Sequence, residues 1–308
     1  MTDRRTLLIA AASSLIAPAA LAGPMPEGIP LWPGASPGGA GPQGAVHVSA
    51  SGALRNIARP YLLAYRPRTP NGAAVLVAGG GGYRRVEMGM EATPAASWLV
   101  AQGITAFTLA YRLPGEGWAD GPAVPLQDAQ RAIRLIRARA GRYGLNPERL
   151  GVLGFSAGGH LMGLAADWWD FRSYAPVDSA DFLSARPNNA ALIYPVITLE
   201  PPYQHTSTRK ALIGEHPTPQ ASAEWSVQTH LRSDAPPIFL VQAKDDPVSN
   251  PVNTVMMDRA CLRAGVPVAF HQLPSGGHGF GMGRQDAPTA EWPGWYKNWL
   301  GQQQMLAV

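Results

Sequence analysis

One pentapeptide, Gly154-Phe155-Ser156-Ala157-Gly158, restricts the folds open to this chain more than any other feature in it. It follows the apolar run Leu150-Gly151-Val152-Leu153 and leads into Gly159-His160-Leu161-Met162-Gly163-Leu164-Ala165-Ala166, a small-residue stretch able to form a helix. A serine between glycines at a strand-to-helix junction is the setting of a nucleophile elbow. The turn is so tight that flanking side chains would strike strand or helix, which glycine avoids. It lifts the serine oxygen above the sheet edge, with the N–H of Ala157 directed at whatever the serine attacks. A Gly/Ser-rich turn without chemistry has the same look. The functional reading therefore depends on a base, an acid and an oxyanion hole in the right places.

Chain order supplies the acid and then the base, as the elbow requires. Pro236-Pro237-Ile238-Phe239-Leu240-Val241-Gln242-Ala243 reads as a fully buried parallel strand and ends in Lys244-Asp245-Asp246-Pro247-Val248. Two carboxylates thus lie just past a strand's C-terminal end, where catalytic groups collect in open α/β sheets. The next strand, Val266 to Leu273, runs into Pro274-Ser275-Gly276-Gly277-His278-Gly279-Phe280, which puts His278 on a glycine-rich loop free to swing toward Ser156. A serine hydroxyl becomes a nucleophile when an imidazole takes its proton, and a carboxylate holds that imidazole in one tautomer. Asp246 is the preferred orienter; Asp245, one residue nearer the strand, is assigned to capping the turn or facing solvent.

Upstream, Ala73-Ala74-Val75-Leu76-Val77-Ala78 is a buried strand running into Gly79-Gly80-Gly81-Gly82-Tyr83-Arg84. Consecutive glycines let main-chain N–H groups approach a ligand closely, which an oxyanion hole needs. A flexible turn is the plain alternative. A phosphate loop is disfavoured, since no Gly-Lys-Ser/Thr follows and Arg84 stands where a dinucleotide loop has its third glycine. Tyr83, tied to this loop, is the candidate substrate-binding residue, and a tight acyl side follows from it.

Taken together these motifs resemble the α/β-hydrolase superfamily and, within it, secreted esterases related to bacterial acetyl xylan esterases. The residues that carry the resemblance are the loop at 80–83, Ala110-Tyr111-Arg112-Leu113, the elbow through His160, Asp245-Asp246-Pro247-Val248, Gly276-Gly277-His278-Gly279-Phe280, and Ile29-Pro30-Leu31-Trp32-Pro33-Gly34. The resemblance implies an α/β-hydrolase fold, a mostly parallel central sheet with helices on both faces. It makes Gly81 and Gly82 the loop donors of the oxyanion hole, with Ala157 as the elbow donor. Two departures stand out. Gly79 occupies a position that is histidine or proline in many relatives, and Gln242-Ala243 replaces a frequent His-Gly.

The chain's start indicates destination. Asp3-Arg4-Arg5-Thr6-Leu7-Leu8 opens an apolar stretch ending in Ala20-Leu21-Ala22, a pattern of charged region, apolar region and A-x-A site. Paired arginines point to twin-arginine export into the periplasm or medium, with cleavage after Ala22. The apolar run is short for a membrane span and contains Ser13, Ser14 and Pro18, so no membrane anchor is expected after processing. The organisation expected is an export signal at 1–22, a Pro/Gly-rich irregular arm at 23–44 and one catalytic domain at 45–303. A net charge of +4 over 308 residues is too small to argue nucleic-acid binding. Cys261 is the one cysteine, which excludes an internal disulfide, and reads as a buried small hydrophobe on a helix.

Coarse patterning gives an antiparallel hairpin at the sheet edge over 45–66, a helix N-capped at Thr93, and a helix from Pro125 to Arg142. On the latter Leu126, Ala129, Ile133, Ile136 and Ala140 share a face, while Arg131, Arg134, Arg137 and Arg139 form a solvated one. Asn250 to Gly265 and the aromatic-rich segment from Trp292 are further helices, the latter's rings being core. Trp168, Trp169, Phe171 and Tyr174 form either a pocket wall or ordinary packing. His160 packs under the elbow. His205, His216 and His230 lack the spacing of a zinc helix, so no metal and no organic cofactor is implied.

The reading is an exported serine esterase in which Ser156 attacks, His278 moves the proton, Asp246 orients His278, and Ala157 with Gly81 and Gly82 holds the oxyanion. By resemblance, the substrates are acetyl esters of a polysaccharide or its oligomers. A general carboxylesterase or feruloyl-type esterase is the alternative enzyme, and a non-catalytic carbohydrate-binding relative the alternative of another class.

Overall fold

The computed structural model describes residues 26–307; the export signal at 1–22 lies outside them. Its strands are β1 (Glu27–Pro30), β2 (His47–Val48), β3 (Leu54–Arg55), β4 (Tyr61–Tyr65), β5 (Ala74–Ala78), β6 (Thr105–Ala110), β7 (Leu150–Phe155), β8 (Asn189–Ile193), β9 (Ile238–Ala243) and β10 (Val268–Leu273). Its helices are α1 (Thr93–Ala101), α2 (Ala123–Ala138), α3 (Ala140–Tyr143), α4 (Ala157–Asp167), α5 (Ser207–Ile213), α6 (Pro219–Glu224), α7 (Val252–Ala264) and α8 (Trp292–Gln302).

Eight strands form one sheet in the order β1-β4-β6-β5-β7-β8-β9-β10. β4 pairs antiparallel with both β1 and β6, and every other neighbouring pair is parallel. Strands β5 to β9 are buried at every residue. Their runs of Ala, Val, Leu and Ile fit a sheet covered on both faces, where no position meets water. Helices α2, α4 and α7 pack on one face, α1 and α8 on the other, where Trp98 of α1 stacks on Tyr296 of α8 at 5.7 Å. The strand order reverses direction between β5 and β7. Crossovers are right-handed, so this reversal places α1 opposite α2 and α4 and opens a crevice at the C-terminal ends of β5 and β7.

Three expectations are corrected. The arm is not irregular throughout: Glu27–Pro30 is the edge strand of the main sheet, registered against Tyr61–Ala64. Residues 45–66 do not form one hairpin. β2 and β3 make a separate ribbon, and β4 joins the main sheet. The helix assigned to start at Thr93 is preceded by a wide helical turn over Met88–Ala92, so Thr93 caps nothing.

The arginine face of α2 is likewise not simply solvated. Arg131 is 1% exposed, donates to the Leu31 carbonyl at 2.9 Å and pairs with Asp178 and with Asp181. Arg134 donates to Tyr174 and to the Leu183 carbonyl, and Arg137 to the carbonyls of Ser184 and Arg186. These oxygens belong to the irregular chain after α4, which has no ladder to satisfy its backbone; the guanidinium groups supply the missing donors.

Candidate active site

Ser156 ends β7 and opens α4 with φ 51° and ψ −116°, a region that L residues avoid because Cβ crowds the backbone. The tight turn fits because Gly154 and Gly158, two residues to either side, lack a Cβ. One on Gly154 would run into the Gly158 carbonyl, and one on Gly158 into that of Ala78. The turn is pinned by Ser156 N–H donating to Ile193 at 3.0 Å and by Ser156 accepting from His160 N–H at 3.0 Å.

Ser156 Oγ lies 2.8 Å from His278 Nε2, and His278 Nδ1 lies 2.7 Å from Asp246 Oδ2. A carboxylate only accepts, so Nδ1 carries the proton and Nε2 is left to accept from the serine hydroxyl. Asp246 is buried, and its Oδ1 accepts from the N–H groups of Val248 at 2.8 Å and Ser249 at 2.9 Å. Asp245 points to the other side of the turn and accepts from Gly276 N–H at 2.9 Å and Gly277 N–H at 2.8 Å, which fixes the loop that bears His278.

The glycine loop after β5 borders the same cavity, of about 470 Å³, as Ser156 and His278. Gly81 and Gly82 have φ of 107° and 63°, open to glycine at no steric cost. The N–H groups of Gly81, Gly82 and Ala157 donate to no group among the described residues. Gly80 N–H instead donates to Glu91 Oε2 at 2.6 Å. At Gly79, where relatives often carry a side chain, a Cβ would meet the Glu87 backbone, so glycine belongs to this path of the loop.

Tyr83 is corrected. It is 1% exposed and lines not the cavity that holds Ser156 but the adjoining one, beside Arg84 and Ser207. Its ring stands edge-on to Tyr111 and His160, and its hydroxyl is 3.0 Å from His160 Nδ1. His160 Nε2 donates to the Trp225 carbonyl at 2.8 Å, so Nδ1 is the acceptor and Tyr83 the donor. Burial drives the His160 pKa down to about 4, keeping the ring neutral. Tyr83 therefore ties the glycine loop after β5 to α4 from beneath.

Three residues of the site escaped the sequence reading. Gln242 Nε2 donates to Asp246 Oδ2 at 2.8 Å. Glu91, buried below the loop, also accepts from the Tyr194 hydroxyl at 2.9 Å, and that hydroxyl accepts from Gly281 N–H at 3.0 Å. Burial raises the Glu91 pKa, opposed by the Gly80 N–H and the Tyr194 hydroxyl. The Tyr194 ring stands 4.9 Å from that of His278. Gln242 had a signal, being the one polar side chain in an otherwise apolar strand, as did Glu91 amid Met and Ala. Tyr194 had none; it reads as a core aromatic.

The remaining candidates lie elsewhere. Trp169 and Tyr174 border a separate cavity away from Ser156, and Trp168 stacks on Phe171 and His230. His271 stacks on Trp295. Cys261 is buried in α7, where burial raises its pKa to about 12. No cluster of His, Cys, Asp and Glu able to hold a metal occurs among the described residues, and none of their helices is long and apolar enough to cross a membrane.

Residues 63–260 match the family model BD-FAE. The acetylxylan esterase of Xylanibacter ruminicola is 30% identical over 75% of this chain and 45% of its own length. Endo-1,4-beta-xylanase B of Butyrivibrio fibrisolvens is 33% identical over 67% of this chain and 32% of its own. The chain thus spans less than half the length of these two curated relatives. The acetyl ester-xyloside bifunctional hydrolase of Caldicellulosiruptor lactoaceticus superposes with a TM-score of 0.78 at 32% identity, covering 94% of this chain and 100% of that one. Esterase 2 of Thermogutta terrifontis, at 24% identity and a TM-score of 0.69 over 90% of this chain and 99% of its own, shares the α/β-hydrolase fold.

Proposed function

The chain belongs to the BD-FAE family, and from that premise we propose that it is an exported serine esterase that removes acetyl groups from a polysaccharide or its oligomers. The unbroken relay from Ser156 Oγ through His278 to Asp246, beside three N–H groups with no partner among the described residues, carries the reading. His278 Nε2 takes the hydroxyl proton as Ser156 Oγ attacks the ester carbonyl. The carbonyl oxygen gains charge and is met by the N–H groups of Ala157 and of Gly81 or Gly82. Asp246 compensates the imidazolium, which then protonates the leaving alkoxide. Water, deprotonated by the same imidazole, releases the acid and restores the serine.

The acetyl assignment is supported by the relatives: an acetylxylan esterase and an acetyl ester-xyloside hydrolase are among the proteins most like this chain. It no longer draws on Tyr83, which lies outside the cavity. A general or feruloyl-type carboxylesterase is favoured by a different observation. Met90 and Val248, 61% and 48% exposed, border the cavity and offer apolar surface to a longer or aromatic acyl group. Release of acetate from acetylated xylan, set against ferulate from feruloylated arabinoxylan, separates the two. With nitrophenyl esters the acetyl reading expects kcat/KM to fall about ten-fold or more from acetate to hexanoate, one decade being about 1.4 kcal/mol. A better rate on hexanoate assigns the chain to the second reading. Export is tested by replacing Arg4 and Arg5 with lysine, which on the twin-arginine route leaves precursor in the cytoplasm.

A further inference from the structure

The cavity that holds Ser156 does not end at the catalytic residues. On one side it shares Arg84 and Ser207 with a second cavity, of about 540 Å³, that reaches Glu116 and Lys210. On the other it shares Ser51, Arg85 and Glu87 with a third, of about 480 Å³, that reaches His47 and Arg55. The three adjoin in series through these shared residues, with Ser156 bordering the middle one, and we read them as one groove. A small ester fills only that middle, whereas a chain molecule can occupy all of it.

The charges along the groove are unevenly matched. Glu87 pairs with Arg85, and Glu215 with Lys210 at 3.1 Å. Glu116 accepts from the N–H groups of Asn56 and Ile57, at 2.5 Å and 3.1 Å. Glu91 is held by Gly80 and Tyr194. Each acid is thus held, Glu87 and Glu215 by cations and Glu116 and Glu91 by neutral donors, while the exposed guanidinium groups of Arg84 and Arg55 pair with no carboxylate among the described residues. Arg55 stands directly opposite His47 in the β2–β3 ribbon, and cross-strand partners present their side chains on the same face. One unmatched cation thus lies on each side of the serine.

Resting on the esterase reading above, we propose that the groove takes an O-acetylated oligosaccharide bearing uronic acid units, whose carboxylates are bound by Arg84 on one flank of the ester and Arg55 on the other. A guanidinium presents a planar fork that matches a single carboxylate. A lone arginine on each flank suits isolated carboxylates spaced along a chain rather than a continuous polyanion.

The test uses the mature enzyme and acetylated xylo-oligosaccharides of equal length, with and without glucuronic acid substituents, with acetate release as the readout. The acidic oligomer is expected to have kcat/KM about five-fold or more above the neutral one at low salt. That preference should collapse near 1 M salt, where the Debye length falls to about 3 Å. Arg84→Gln and Arg55→Gln should each reduce the acidic-to-neutral ratio about two- to three-fold, the range of solvent-exposed ion pairs, and Arg84→Glu should reduce it further. Both arginines are exposed, so the substitutions leave the core untouched. Equal rates on both oligomers, or a ratio unmoved by salt and by either arginine, overturns the acidic assignment while leaving the esterase standing. Acetate release from neither oligomer overturns both.

Discussion

Ser156 holds its hydroxyl 2.8 Å from the imidazole only because the backbone accepts φ 51° at that residue. Ser156→Ala keeps the turn and removes the nucleophile, so turnover should fall by a factor on the order of 10⁵–10⁶ with the fold intact; retention of a tenth of the activity would falsify the mechanism. The adjacent acids separate by what each touches. Asp246→Asn should cost roughly 10³–10⁴ in turnover, since the imidazole loses its orienting charge. Asp245→Ala frees two loop N–H groups and should cost about ten-fold or less, the value being read from steady-state kinetics of folded variants. Ser156 and His278 stand out in the sequence because glycine spacing marks them. The choice between Asp245 and Asp246 depends on side-chain direction at a turn, which only a preference could settle. His160 adds a stability effect. Its folded pKa of about 4 lies below its ordinary value of 6.5, so between these values the unfolded chain binds a proton that the folded one refuses. Stability from this group is present above pH 6.5 and falls as the medium is acidified toward pH 4, by about 3 kcal/mol in total. Urea unfolding across that window should show the loss in the wild type, and His160→Gln should flatten it.

Among the elements, the glycine loop after β5 depends on an anchor the sequence did not disclose. Tyr83 and His160 lie far apart in the chain, and only the approach of β5 to β7 sets one above the other. Tyr83→Phe removes the donor and leaves the buried His160 Nδ1 unsatisfied, a cost of about 1–3 kcal/mol in stability. With its tether gone the loop should hold its N–H groups less firmly, so kcat should drop about ten-fold while KM changes little. The acyl-length profile should keep its shape, because Tyr83 lines the adjoining cavity and not the one that holds Ser156; a flattened profile would return Tyr83 to the acyl pocket. The buried strands were legible because both faces are covered, and apolar runs bounded by glycine and proline announce that. Edge strand Glu27–Pro30 was not, since four residues containing Gly and Pro owe their conformation to the partner strand. The arginine face of α2 shows the same limit. Its apolar stripe could be read by period, but whether a guanidinium meets water or a carbonyl is decided by a distant loop.

The whole molecule closes around a buried ion pair. Arg112 and Asp128 are both fully buried, with Nε of the arginine 2.9 Å and 3.0 Å from the two carboxylate oxygens. Trp32 donates to the same carboxylate at 2.9 Å, and the guanidinium lies 4.8 Å from the Trp118 ring and donates to the Pro37 carbonyl. The Trp32 and Arg112 motifs that carried the family resemblance thus meet in one cluster that clasps the N-terminal arm to the domain. Arg112→Ala strands a buried carboxylate and should destabilise the protein by about 3–5 kcal/mol. That corresponds to a Tm lowered by on the order of 10 °C. Calorimetry should show only part of it recovered when Asp128 is replaced by leucine as well, because the stranded charge goes but the Trp32 indole and the Arg112 backbone N–H lose their acceptor. At the same, C-terminal end of the sheet, Gly80 N–H, Glu91, the Tyr194 hydroxyl and Gly281 N–H form one hydrogen-bonded string. It joins the glycine loop after β5 to the loop that carries His278. Neither loop is therefore a module. A chimera that imports one of them from another esterase leaves Glu91 or Tyr194 facing a partner it was not shaped for, and recombination that preserves turnover must move residues 80, 91, 194 and 281 as a single inheritance.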